Sequence, residues 1–555
     1  MKNMLGLDKK MIDIVYSYPK LQERIAGRDE EYRKSLKVLK EIHASFSPWV
    51  AIPVIKFLDW TLANLYDGIN LSFEEDLDLK RLVADHNVVF VPNHQSHADY
   101  IALNYIIYKK HRFPVYVAGG INLNLFFVGY LFRKCGCFFI RRSFSSDILY
   151  KVTLEAYLYF LLMEGKPIEF FFEGGRSRTG KLLEPRFGLY QMLLEAHKAI
   201  PQEKRKKFLF IPVSIVHEHI PDQKAMAKEL LGGKKKKESF FQLIKLVDLF
   251  YAQFGSVHIR LGKPVELEEF GDIKETVQNL AFECFRAVGR NMLITPSALI
   301  ALILLDSPAG ALTLNEIVAK AKKIIHFCQQ FAIPFTQSLR PEDLQKTVEH
   351  SLYIFLNNHR IKTIGDRGRN MVFYYVDQES RGDMLYYKNT GLHHFMVPWL
   401  INYAWINVFN GSVTDVQGLY GLMQQQLNHL RYEFYLPKES DFIRQTRDII
   451  SYFVGRRIDS FEECLTLSYK DFYTIAVNLG VFSQACHYIH QGYYLSALTV
   501  AAMGSEANSF KWEDYFARAR EIFDVQRSLG RVISISATPI RIMSSPLALG
   551  WIVFA

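Results

Sequence analysis

The chain is poor in the features that mark several protein classes. Its 555 residues include only six cysteines, Cys135, Cys137, Cys284, Cys328, Cys464 and Cys486, and none form a Cys-x-x-Cys pair. Neither a zinc site nor a redox dithiol is indicated, and no metal is expected. A dense disulfide framework is excluded, which favours a reducing compartment. The first ten residues lack the apolar core of a signal peptide. No apolar run is convincing as a membrane span of about 20 residues. The nearest, 113–132, carries no charge but contains Pro114, Gly119, Gly120, Asn122 and Asn124, so it reads as strand, turn and short helix. Met292–Leu305 and the tail after Arg541 are too short. Repeats and low-complexity linkers are absent, as are a Walker loop and a Gly-x-Ser-x-Gly elbow.

What is present is a folded composition. Hydrophobic residues make up 49% and charged residues 22%, which excludes a disordered chain. The length implies two or three domains. Aromatics reach 14%, with 42 Phe and 30 Tyr, enough for large cores or for a surface facing lipid. The formal net charge of +10 attracts anions: nucleic acid, anionic lipid or a phosphorylated substrate. No recognition motif supports nucleic acid. The runs Lys204–Lys207 and Lys234–Lys237 read as solvated loops, with a lipid-contacting patch as the alternative.

Three regions follow from texture. Residues 1–80 read as a helical region. Within it, Ser47–Tyr66 is a helix packed on the core or lying in a membrane interface. Residues 81–290 alternate β-rich runs (Asn87–Val91, Val115–Ala118, Cys137–Arg141, Ile168–Phe172, Phe208–Val216, His258–Leu261) with helical stretches. This predicts an α/β domain with a mixed, largely parallel sheet and helices on both faces. Residues 291–555 read as a mainly α-helical domain.

Four segments carry the chemistry. In Asn93-His-Gln-Ser-His-Ala-Asp99, a strand's carboxyl end leads into a helix. Five residues separate His94 from Asp99, a spacing that lets the carboxylate reach the far ring nitrogen, fix its tautomer and stabilise the imidazolium. Taken alone, such a pair is ordinarily a cap plus a surface residue. Gly136-Cys-Phe-Phe-Ile-Arg-Arg142 ends a strand in Arg141 and Arg142, which either reach to solvent or offer forks to phosphate oxygens. In Phe171-Phe-Glu-Gly-Gly-Arg-Ser-Arg-Thr-Gly-Lys181, a strand breaks into a loop. There Gly174 and Gly175 let the backbone approach an anion, Arg176, Arg178 and Lys181 neutralise it, and Ser177 and Thr179 donate hydroxyls. Ile211-Pro212-Val213 is a core strand whose proline could shape an apolar wall.

In this order, these segments resemble the four motifs of the glycerolipid acyltransferases. They are most similar to the branch acylating glycerol 3-phosphate or dihydroxyacetone phosphate. Weaker similarity continues through Phe254–Pro264, Thr295–Leu302 and Tyr386–His394. The resemblance implies glycerol-3-phosphate 1-O-acyltransferase activity, giving 1-acyl-glycerol 3-phosphate, the first step of phospholipid biosynthesis. His94 would be the general base and Asp99 its orienter, with no covalent intermediate. Arg141, Arg142, Glu173, Gly174, Gly175, Arg176, Ser177, Arg178, Thr179 and Lys181 would hold the acceptor, and Phe139, Ile211, Pro212 and Val213 would face the acyl donor. Acyl-CoA or acyl carrier protein serves as co-substrate, and no cofactor is expected. Peripheral attachment to membrane lipids follows, at the cytoplasmic face of a bacterial inner membrane. His97 takes a packing or hydrogen-bonding role, and Cys137 is a small buried residue. Dihydroxyacetone phosphate or a lysophospholipid remains an alternative acceptor, and a catalytically inactive lipid-binding scaffold is the non-enzyme alternative.

Overall fold

The computed structural model describes residues 7–124, 126–141, 146–220, 254–267, 271–307, 310–366, 371–377, 379–431, 434, 436, 438–504, 511–529 and 531–532. Arg142, Lys234–Lys237 and the apolar tail lie outside these residues. The chain divides into two compact units: 1–176 with 183–221 and 236–291, and 177–182 with 222–235 and 292–555.

The first unit is built on an eight-stranded sheet. Its strands are β1 (Gly68–Phe73), β2 (Asn87–Pro92), β3 (Tyr116–Gly120), β4 (Cys137–Ile140), β5 (Ile168–Glu169), β6 (Phe208–His217), β7 (Ser256–Leu261) and β8 (Val265–Leu267). The order is β1-β7-β6-β2-β5-β3-β4, with β8 also on β6. Pairing is parallel except for β6 with β7 and with β8. All of β2 and β6 is buried, as expected of near-continuous apolar strands covered on both faces. On one face, Val88, Phe90, Leu209, Ile211, Val213 and Ile215 pack with Leu103 and Ile107 of the helix Asp99–His111. On the other, Phe210 and Phe170 meet Tyr190 of the helix Gly188–Lys198, and Phe172 meets Phe285 of the helix Ile273–Asn291.

Two expectations need correction. Residues 68–73 form a strand, not a helix. Ile69, Leu71 and Phe73 alternate with Gly68, Asn70 and Ser72, a period of two, and the run pairs in register from Gly68–Ser256 to Phe73–Leu261. β5 stops at Glu169, short of Phe172. Phe170 N–H still donates to Phe90 O at 3.2 Å, but Gly174 N–H then donates to Phe171 O and closes a turn. The expected strand, turn and helix across 113–132 appear as β3, a short 3-10 turn at Ile121–Leu123 and the helix Phe126–Lys134.

The helix Pro48–Leu65 lies against the first core through Ile55, Leu58 and Leu62. Asp59 accepts from Tyr105 and from Lys109 of the helix Asp99–His111. Its outer face exposes Trp49 (90%), Ile52, Phe57 and Trp60 (60% each for the last two). Among the described residues no helix is long and apolar enough to cross a membrane.

The second unit is mainly helical. It also holds a three-stranded antiparallel sheet that the helical expectation omitted: β9 (Ala311–Thr313), β10 (Lys362–Asp366) and β11 (Met371–Tyr375), in the order β10-β11-β9. These strands are short and partly polar, so their period-two signal is weak beside the neighbouring helices. The helix Pro296–Leu305 is buried from Pro296 to Leu304. Close packing beside the helix Arg381–Gly391 relies on Gly391, where a Cβ would lie 2.5 Å from Ile294 Cδ1.

Candidate active site

Three adjacent parallel strands, β6, β2 and β5, end on the same edge of the sheet. Ligands in open α/β sheets bind beyond such carboxyl ends. β2 leads to His94, β5 to Glu173, and β6 ends at His217.

Asn93 fixes how the chain leaves β2. Its Nδ2 donates to Ile215 O (3.0 Å) and its Oδ1 accepts from Ile215 N–H (2.7 Å), so the side-chain amide continues the ladder to β6. Losing this amide would leave two buried backbone groups unpaired, at about 1–3 kcal/mol each. The chain then folds back over Asp99, in the first turn of the helix Asp99–His111.

Asp99 is fully buried. Its Oδ2 accepts from His94 Nδ1–H (2.9 Å), Gln95 N–H (2.6 Å) and Ser96 N–H (2.8 Å). Its Oδ1 accepts from His217 Nε2–H (2.6 Å). Burial alone would raise its pKa. The hydrogen bonds from His217 and His94, with their charge, outweigh burial and hold it below the ordinary carboxylate range. A helix N-terminus favours the anion too.

With Nδ1 committed to Asp99, His94 keeps Nε2 as its acceptor. No hydrogen bond reaches Nε2 among the described residues. The ring packs on Phe171, centroids 4.3 Å apart, and the side chain is 13% exposed, so it is ordered but reachable. This is the geometry expected of an oriented base.

Two more carboxyls lie close by. Glu169, wholly buried in β5, has its pKa raised well above the ordinary value by burial, opposed by a hydrogen bond from Asn104 (2.7 Å) and reinforced by Asp99. Glu173 is raised in the same way by burial, against backbone hydrogen bonds from His94 and Leu183. Burial disfavours the charged form of both, whereas the donors around Asp99 favour its carboxylate.

The other expected residues separate into groups. At the end of β4, Arg141 has its fork taken by Glu41 (2.7 and 2.8 Å) and Asp147 (3.1 Å), and it stacks on Tyr150. Three strand spacings from β2, roughly 14 Å, it serves local structure here. Phe139, Ile211 and Val213 are completely buried core residues. Pro212 turns its carbonyl to Gly262 N–H (2.8 Å). Since N–H and C=O leave a strand on the same side, its missing donor faces the gap between β8 pairing, which ends at Phe210, and β7 pairing, which begins at Val213. Cys137 is neutral, its thiol pushed up to about 12 by burial.

Within the third segment, Gly174 has φ +66, a left-handed conformation that closes the turn. Gly175 and Arg176 follow it. Ser177–Leu182 belong to the second unit. There Ser177 Oγ donates to Lys181 O (2.6 Å), and Lys181 Nζ lies 5.0 Å from the Phe434 ring centre. Asn389 Nδ2 donates to Thr179 O (2.9 Å) while its Oδ1 accepts from Tyr488 (2.6 Å). Gly180, at φ +80, passes so close to Tyr386 O that a Cβ would sit 2.1 Å away. Ser177 and Lys181 thus shape the loop, and the helix Arg381–Gly391 holds it. Buried beside Asn389, Lys388 pairs with Asp306 at 2.5 Å.

Sequence reasoning missed His217, Asn93 and Asn389. The available signal for His217 was a histidine directly ending a ten-residue, almost wholly apolar strand.

A family model described as glycerol-3-phosphate acyltransferase C-terminal region matches residues 226–530. The chain belongs to the glycerol-3-phosphate acyltransferase family. A second model, described as acyltransferase, matches 73–216. A glycerol-3-phosphate acyltransferase of Pseudomonas fluorescens (strain Pf0-1) is 29% identical over 75% of this chain and 50% of its own. That of Haemophilus ducreyi is 28% identical over 83% of this chain and 57% of its own. The chain therefore spans about half the length of the curated relatives it matches. A solved 1-acyl-sn-glycerophosphate acyltransferase from Thermotoga maritima aligns with 50% of this chain and 92% of its own, at 17% identity and a TM-score of 0.25, too low to bear on the fold.

Proposed function

We propose that this acyltransferase moves a fatty acyl group from acyl-CoA or acyl carrier protein to the sn-1 hydroxyl of glycerol 3-phosphate. The product is 1-acyl-glycerol 3-phosphate. One observation carries the reading: His94, at the end of a central strand, has Nδ1 bound to a buried carboxylate and Nε2 turned to no partner among the described residues.

An alcohol is a weak nucleophile near pH 7, so a base of similar pKa is useful, and histidine supplies one. Nε2 takes the hydroxyl proton as the oxygen attacks the thioester carbonyl carbon. The C–S bond breaks as the tetrahedral intermediate collapses, and the imidazolium returns the proton to the leaving thiolate. Atoms balance without an acyl-enzyme and without a metal. Asp99 keeps the tautomer and offsets the transient positive charge. We assign acceptor phosphate binding to Arg176, in the same unit as His94.

Product and donor are amphipathic. The exposed Trp49, Ile52, Phe57 and Trp60 support docking of the helix Pro48–Leu65 in a membrane interface. Serine at Trp49 and Trp60 together should weaken vesicle cosedimentation, and unchanged binding removes this surface.

Acyl transfer to glycerol 3-phosphate, dihydroxyacetone phosphate and lysophospholipid, from each thioester, tests the main reading. Glycerol 3-phosphate should be the preferred acceptor, and His94→Ala should lose about 100-fold or more in kcat. A fully active, folded His94→Ala refutes it.

A further inference from the structure

We infer that His217 is a positioning residue for the transfer reaction, holding Asp99 from the side opposite His94 and setting how strongly that carboxylate draws on the base. The inference rests on His94 being the base.

The argument begins in β6. Nine residues, Phe208–Val216, lead into His217, and all but Ser214 are apolar. His217 is buried, and its side chain is wholly inaccessible. A histidine there costs desolvation unless its polar atoms are used. Only one of them is: Nε2–H donates to Asp99 Oδ1 at 2.6 Å, while Nδ1 has no partner among the described residues. A packing role would be filled better by an apolar side chain, so the single bond to Asp99 is what the residue contributes. An acceptor-only carboxylate also fixes the tautomer, with the proton on Nε2.

The placement is specified at both ends of the bond. Asn93 ties the chain before His94 to Ile215, two residues before His217. Both histidines are therefore referenced to the same stretch of β6. Asp99 bridges them with one oxygen each.

Other charged groups face this arrangement. Glu169 and Glu173, from β5 and its following turn, feel the Asp99 charge, which raises both of their pKa values further. The Tyr66 ring lies 6.4 Å from the His217 ring. Glu218 turns instead to His258 Nε2 and Ser256 N–H, both at 3.0 Å. Burial disfavours the charged forms of Glu169 and Glu173, and the His217 bond is the side-chain contact that divides the Asp99 charge with His94. A carboxylate shared between two side-chain N–H donors, beside its two backbone donors, pulls less on either ring. Removing His217 concentrates it on His94 and raises the basicity of Nε2, while releasing the carboxylate to turn.

The experiment compares wild type, His217→Met, His217→Gln and His94→Ala, in kcat, KM for glycerol 3-phosphate and the pH profile of kcat. Methionine keeps volume without a donor, and glutamine supplies an N–H near Nε2. The expected result for His217→Met is a kcat about tenfold lower, KM within about twofold, and an ascending limb moved upward by about half a pH unit. His217→Gln should recover most of kcat and the original limb. If His217→Met does not fold, His217→Asn, too short to reach Asp99, takes its place. The inference is overturned if the variant lacking a donor keeps kcat and pH profile, or if His217→Gln is as impaired as it is. Full activity in His94→Ala would instead remove the base itself, a separate failure.

Discussion

Replacing Asp99 by asparagine isolates charge from geometry. Two backbone donors, Gln95 N–H and Ser96 N–H, converge on Oδ2. An amide NH2 cannot stand there, so the asparagine oxygen takes that position. His94 Nδ1–H then keeps an acceptor and its tautomer. The amide NH2 falls opposite His217, which must shift its proton to Nδ1, where no partner awaits among the described residues. What disappears at His94 is the anion. Two unit charges about 4 Å apart interact by roughly 4 kcal/mol at an effective dielectric of about 20. The amide dipole restores part of this, leaving about 3 kcal/mol, or roughly 100-fold in kcat at about 1.4 kcal/mol per tenfold. KM for glycerol 3-phosphate should change little. Stability supplies a second readout. Folded Asp99 has a depressed pKa, whereas in the unfolded chain it protonates near 4. Its contribution is therefore present above about pH 4 and lost as pH falls toward the folded value. The stability gap between wild type and Asp99→Asn should narrow with acid below about pH 4. Steady-state acyl transfer and chemical denaturation across pH measure both. A kcat within threefold of wild type, or a gap that does not narrow, refutes the assignment of Asp99 as the charged partner of His94.

Glu169→Gln should stabilise the protein increasingly as pH rises. Its folded pKa is raised, so the wild type loses stability from about pH 4 upward, a loss the amide avoids; a melting-temperature difference flat with pH contradicts this. Gly180→Ala should lower the melting temperature by several degrees, because its Cβ meets Tyr386 O and left-handed backbone costs about 1–2 kcal/mol. Gly175→Ala, with open space around it, should leave the melting temperature unchanged.

Much of the fold was legible because central strands buried on both faces leave uninterrupted apolar runs. Asn87–Val91 and Phe208–Val216 were found within one residue at either end. That one-residue difference hid His217. A strand read from hydrophobicity stops where the first polar residue stands, and the polar residue ending a buried strand is the one the sheet carries to the site. Asn93 was hidden for a related reason. Its amide replaces backbone in the ladder, a role with no periodic signature. β1 was lost because an edge strand, half exposed, resembles the amphipathic segments before it. The motif residues divide by the same logic. Spacing alone allowed His94 and Asp99 to meet, and they do. Arg141 had equal standing as a cation at a strand end, yet Glu41, 100 positions earlier, claims its fork. Competition among distant side chains for one partner leaves no trace in local pattern. Asp99 is the opposite case. Its four donors come from one local turn and one distant strand, and the distant donor makes the carboxylate a shared group instead of a private partner of His94. The local motif specifies a base with its orienter, and the sheet adds a second histidine that governs the orienter.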